Sequence, residues 1–163
     1  LDGEEVGFLG ARELMRDPRT DMSRAAININ LDMVSRSEAG ELYVAGTYFT
    51  PELEPLMTQV AVNAPVSLLI GHDRPEDGDD DWTLQSDHAV FYQAGVPFLY
   101  FGVEDHPGYH KPSDDFDAIT PDFFVRAADT IVSVVQVADA NLPEIFSLRT
   151  APVALNPTEG SPE

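Results

Sequence analysis

Ala26-Ile27-Asn28-Ile29-Asn30-Leu31-Asp32-Met33 alternates apolar and polar side chains, with Ile27, Ile29, Leu31 and Met33 on one face. A period of two is that of a β-strand, because successive side chains point to opposite sides of the pleat. The pattern therefore predicts a strand over residues 26–33 with an acid, Asp32, near its carboxyl end. Downstream, Phe98-Leu99-Tyr100-Phe101 is a compact apolar run that reads as a central strand. Residues 41–45 and 66–70 read as two more strands, the latter buried. Helices are expected between them. Residues 7–17 carry an apolar side (Phe8, Leu9, Leu14, Met15) and stop at Pro18, which cannot continue the hydrogen-bond ladder. Thr50-Pro51 and Thr120-Pro121 open helices over residues 52–63 and 122–141, with proline at the first helical position. Ser86 or Asp87 caps a short helix running to Ala94, closed by Gly95 and Pro97. Strands alternating with helices predict an α/β sheet covered on both faces.

Composition narrows the function. The chain has 163 residues, 29 Asp and Glu against 9 Lys and Arg, and a formal charge of −20. Lys111 is its one lysine. Clustered cations, which phosphate backbones and anionic membranes require, are missing, so nucleic-acid and membrane-surface binding are excluded as expectations. No apolar run approaches the ~18 residues of a membrane span. With no cysteine, a transition metal would have to use His, Asp and Glu. The apolar content of 43% supports a real core.

In an open α/β sheet, ligands bind beyond the carboxyl ends of the strands, and the chemically interesting side chains fall there. Glu4-Glu5 lies between a strand end and a helix. Adjacent side chains diverge, so one can hold a metal while the other takes a proton from water; alternatively, acids in a first helical turn simply favour the macrodipole. Asp32 is either a ligand or a turn former. His110, in Gly108-Tyr109-His110-Lys111-Pro112-Ser113-Asp114, is a ligand or a structural imidazole; together Glu5, Asp32 and His110 make a donor set that suits zinc. Tyr109 can donate a hydrogen bond to a developing oxyanion or pack the loop. Ser86-Asp87-His88 is no hydrolase triad, because three consecutive residues cannot face one another. Asp87 reads instead as a carboxylate behind the ligands, orienting a ligand or loop. The acids between Asp73 and Asp81 lack calcium-hand spacing and read as a solvated loop, and His72 and His106 as surface residues.

Taken together, these stretches resemble the co-catalytic zinc aminopeptidases, a family with glutamate carboxypeptidase and glutaminyl cyclase among its relatives. Gly3-Glu4-Glu5-Val6-Gly7-Phe8-Leu9-Gly10-Ala11, Asn30-Leu31-Asp32-Met33, Ser86-Asp87-His88 with Gly95-Val96-Pro97, and Tyr109-His110-Lys111-Pro112-Ser113-Asp114 follow in the family's order. The resemblance implies a three-layer α/β/α sandwich with a mostly parallel, mixed central sheet. It implies Glu4 as general base, Glu5 and His110 as ligands of one zinc, Asp32 as ligand of a second, and Tyr109 as a stabiliser of the tetrahedral intermediate. Substrates would be peptides or peptide-like molecules. The family draws a further histidine and a bridging aspartate from upstream of the Gly-Glu-Glu motif. Residues 1–146 are therefore expected to be the carboxyl-terminal part of a catalytic domain whose amino-terminal part is absent, and residues 147–163 a mobile tail. Such relatives are commonly secreted or periplasmic. A cyclase-like acyltransferase and a metal-free binding domain on the same fold are the other functions this resemblance allows.

Overall fold

A computed structural model gives the fold, and residues 1–153 are described. Four strands, β1 (Asn28–Leu31), β2 (Glu41–Ala45), β3 (Ser67–Ile70) and β4 (Phe98–Gly102), form one sheet in the order β1-β4-β2-β3. β1 runs parallel to β4 and β2 parallel to β3, while β2 and β4 are antiparallel. The sheet is thus mixed, two parallel pairs joined back to back. β4 is buried at every residue, as its unbroken apolar run predicts. The expectation of a buried strand at 66–70 needs correction. Among the described strands β3 has one neighbour, so Ser67 is exposed and Ile70 partly so. An apolar run alone does not tell an edge from a centre.

Alternation along β2 and β4 sorts side chains to two faces. Leu42, Val44, Leu99, Phe101 and Val103 face α2 (Glu54–Ala61) and α4 (Pro121–Ala140), whose Met57, Val60, Phe123, Ala127, Ile131 and Val134 complete the main core. Tyr43, Ala45, Phe98 and Tyr100 face the other way, toward Trp82 and Tyr92. There α3 (His88–Gln93) lies on β4 and β1, and α1 (Leu9–Arg16) packs on α3 through Ala11, Val90 and Phe91. Helices on both faces make three layers.

Several local expectations shift. The first helix begins at Leu9, because Gly7 and Phe8 both take left-handed backbone (φ +95° and +58°) and break it from a 3-10 turn at Glu4–Val6. Neither Ser86 nor Asp87 caps α3; both side chains have distant partners. The acid-rich segment after β3 contains 3-10 turns at Pro75–Asp80 and Trp82–Leu84. Within it Asp73 is buried, accepting from the backbone N–H groups of Gly46 and Tyr48, so it anchors a turn. A short helix, α5 (Leu142–Ser147), follows α4. The chain then turns back on the fold: Arg149 donates to the carbonyls of Met22 and Ala25, and the Thr150 N–H to Gly95. The rest of the expected tail, residues 154–163, lies outside the described residues. Among the described residues no helix is long and apolar enough to cross a membrane.

Candidate metal and substrate site

Asp32 follows β1 directly, its N–H donating to the Phe101 carbonyl as the last rung of the β1–β4 ladder. Its carboxylate is fixed from the side. The Ser86 hydroxyl donates to Asp32 Oδ2 at 2.8 Å, and Asn30 Nδ2 donates to Ser86 Oγ at 3.0 Å. Asn30 shares a strand face with Asp32 two residues on, so both reach the amino end of α3, where Ser86 is buried. This is a relay of hydrogen bonds that leaves the other carboxylate oxygen open to a ligand.

The Glu4–Glu5 turn lies next to this relay. Glu5 Oε2 is 3.3 Å from His110 Nε2, and both groups are exposed. Glu4 is half-buried where Glu5 is exposed. Burial first, then the neighbouring charges of Asp32, Glu5 and Asp87, push its carboxyl up to about 7. The two adjacent acids thus differ in setting, one exposed against His110 and the other partly buried with its carboxyl raised. Tyr109 stacks on His110 with ring centroids 3.9 Å apart, and burial, followed by the charges of Asp105, Glu5, Asp32 and Glu4, holds its phenol in the protonated form above its ordinary range. A cleft of about 270 Å³ opens beside this edge, lined by Arg36, Glu41, Tyr43, Asp105 and His106 among others.

Three of the four non-glycine residues with left-handed backbone belong to this edge: Phe8 after the Glu pair, Met33 after Asp32, and His110 itself (φ +58°, +56° and +54°). Such conformations are uncommon outside glycine and gather where a fold over-determines its loops.

The donor set suits zinc in type, with carboxylate oxygens and an imidazole. The chain brings Glu5 and His110 together and holds Asp32 apart from them, next to Glu4. Among the described residues no three His, Asp or Glu groups converge closely enough to enclose an ion. A pair on one side and a single carboxylate on the other is a partial fit to two ions, each needing further donors.

Asp87 is buried, with its Oδ2 paired to the Leu1 amine and its Oδ1 without a partner among the described residues. The side chain that touches Asp32 is therefore its neighbour Ser86, which the sequence reading passed over. The available signal was Asn30, whose place two residues before Asp32 puts both side chains on one face. His72 and His106, expected at the surface, are mostly covered. His72 stacks on Trp82 at 3.7 Å with Nε2 3.1 Å from Glu104, and His106 Nδ1 accepts from the Gly108 N–H. Each finds an aromatic or turn partner that spacing does not reveal.

An open α/β sheet with carboxylates and an imidazole at a strand's carboxyl end is a setting suited to metal-assisted hydrolysis. The chain belongs to peptidase family M28, whose family model matches residues 1–135. It is 27% identical over 149 residues to aminopeptidase YwaD of Bacillus subtilis, covering 83% of this chain and 30% of that protein. It is 32% identical over 129 residues to a probable glutamate carboxypeptidase of Zea mays, covering 71% of this chain and 17% of that protein. Among solved structures, BSAP, a zinc aminopeptidase from Bacillus subtilis, superposes with a TM-score of 0.62 at 26% identity, over 83% of this chain and 33% of that one. An aminopeptidase from Aneurinibacillus sp. strain AM-1 shares the fold with a TM-score of 0.59 at 20% identity, over 95% of this chain and 34% of that one. The chain thus spans from about a sixth to about a third of the length of these relatives.

Proposed function

We propose that this chain supplies the carboxyl-terminal part of a zinc-dependent exopeptidase that removes amino-terminal residues from peptides. The observation that carries the reading is the unlike setting of the Glu pair, with Glu5 exposed against His110 and Glu4 half-buried, its carboxyl raised by burial and by the charge of Asp32. Two ions are expected in the complete domain, Glu5 and His110 serving one and Asp32 the other. Zinc supplies Lewis acidity, lowering the pKa of water and polarising a carbonyl. Glu4 takes the proton of the attacking water and returns it to the leaving amine. Tyr109 donates a hydrogen bond to the oxygen that gains charge as the carbonyl becomes tetrahedral. Ser86 and Asn30 keep the Asp32 carboxylate in one orientation, so no rotamer freedom is lost when a ligand arrives. The matched aminopeptidases favour this reading over acyl transfer.

The test is Glu4→Gln in the complete protein. Zinc content should stay at the wild-type level while kcat falls by about 10²–10⁴, the usual contribution of a general base. Turnover near wild type would remove Glu4 from that role.

A further inference from the structure

A second tyrosine, Tyr100, has no part in the chemistry above. Alternation along β4 turns it away from Leu99 and Phe101 and toward the aromatic face. Its ring is walled by His88 (centroids 4.6 Å apart) and by Trp82 edge-on (5.7 Å), leaving the residue 7% exposed. The ring leans along the strand over Gly102, where a Cβ would lie 2.7 Å from the Tyr100 hydroxyl oxygen. Gly102 is the last residue of β4, so the hydroxyl is carried toward the strand's carboxyl end and the site beyond it. The surroundings agree. After burial, the charges that raise the phenol's ionisation are those of Asp32, Tyr109, Glu4 and Asp105.

Among the described residues this hydroxyl makes no hydrogen bond, and it is not one of the buried atoms left without a partner, so its tip reaches solvent at the strand's end although the ring is enclosed. In the free protein its partner is solvent, whose place an atom of the substrate can take. The nearby acids decide its nature. Glu4, Asp32 and Asp105 repel an anion, and a cationic group would seek those carboxylates instead of an O–H donor. A neutral acceptor fits, and in a peptide that is a carbonyl oxygen.

We propose that Tyr100 is a substrate-contacting residue whose hydroxyl, reaching past Gly102, donates a hydrogen bond to a peptide carbonyl oxygen held beside Glu4, Asp32 and Tyr109. The assignment rests on the hydrolytic reading above. Two variants of the complete protein test it with aminoacyl para-nitroanilides as the probe, together with zinc content and melting temperature. Tyr100→Phe removes the hydroxyl and keeps the ring. It should lower kcat/KM about 5–50-fold, the range for one lost substrate hydrogen bond, with zinc content and melting temperature unchanged. Gly102→Ala keeps the hydroxyl but displaces it, and should lower kcat/KM in the same way if it folds; if it does not, Tyr100→Phe decides alone. A Tyr100→Phe enzyme within twofold of wild type overturns the assignment. So does a loss that follows zinc content, because the hydroxyl would then act through the ligands. A zinc-loaded wild type that releases no amino acid from any such substrate overturns the hydrolytic reading itself, whereas an active wild type with an indifferent variant overturns the Tyr100 assignment alone.

Discussion

The two faces of β4 do different work. On one, Leu99 and Phe101 are fully buried against the aliphatic packing of α2 and α4, with no polar atom to satisfy. On the other, Phe98 and Tyr100 meet an aromatic layer of Trp82, Tyr92 and His88 that contains an imidazole and a phenol. One residue's shift along the strand separates them. The first face supplies stability through area removed from water, and the second accepts imperfectly satisfied polar groups because it backs the site.

The comparison can be broken from the aliphatic side first. Phe101→Ala should cost about 3–5 kcal/mol of unfolding free energy, through lost transfer energy and the cavity left behind. Chemical denaturation measures it, and a loss below 1 kcal/mol would mean that face is not the main store of stability.

The aromatic face should instead reveal itself through pH. His88 is fully buried, and burial lowers its pKa to about 4 despite the Trp82 carbonyl 2.9 Å from Nε2. That carbonyl can only accept, so the neutral ring carries its proton at Nε2 and leaves Nδ1 as a buried acceptor without a partner among the described residues. The folded pKa lies below the ordinary 6.5, so between these values the unfolded chain binds the extra proton. The stability contribution is present above about pH 6.5 and is lost as pH falls toward 4, in total about 3 kcal/mol. Glu4 slopes the other way. Its raised carboxyl makes the folded state bind more protons between 4.5 and about 7, so its term weakens the fold as pH rises through that window. The two oppose each other in the wild type. His88→Gln keeps a donor toward Trp82 and removes the titration, so the wild-type-minus-variant stability difference should fall with decreasing pH across that range. A flat difference would place His88 in a wetter setting than its burial indicates.

The smallest effect belongs to the relay between the faces. Ser86→Ala removes the donor to Asp32 and strands Asn30, which should cost about 1–2 kcal/mol in stability. In the complete protein it should weaken zinc affinity about 10–100-fold, the usual consequence of losing a group behind a metal ligand. Isothermal titration reads the second number, and unchanged affinity would mean Asp32 holds its orientation without Ser86.

Much of this was legible from pattern. Residues 41–45 form a strand with the expected bounds, and the alternating stretch 26–33 forms β1 over its middle, with Asp32 just past its carboxyl end. What could not be read was contact between distant segments. Ser86 meets Asp32 across 54 residues and Asp73 meets Gly46 across 27, and nothing in the local sequence encodes either pairing. The covering of His72 by Trp82 is of the same kind. The early break at Phe8 was hidden for another reason: a bulky residue in left-handed backbone contradicts its own preference, and the surrounding structure enforces it.

That last feature has a mechanical meaning. Phe8, Met33 and His110 sit where a glycine would be easier, Met33 directly after Asp32, His110 itself a group expected to bind, and Phe8 three residues beyond Glu5. A glycine in such a place would roam many conformations, whereas a side-chain-bearing residue in left-handed backbone has one narrow basin and neighbours that hold it there. The three loops are in effect sprung hinges locked in position: they store backbone strain during folding so that the carboxylates and imidazole do not have to be aimed afterwards.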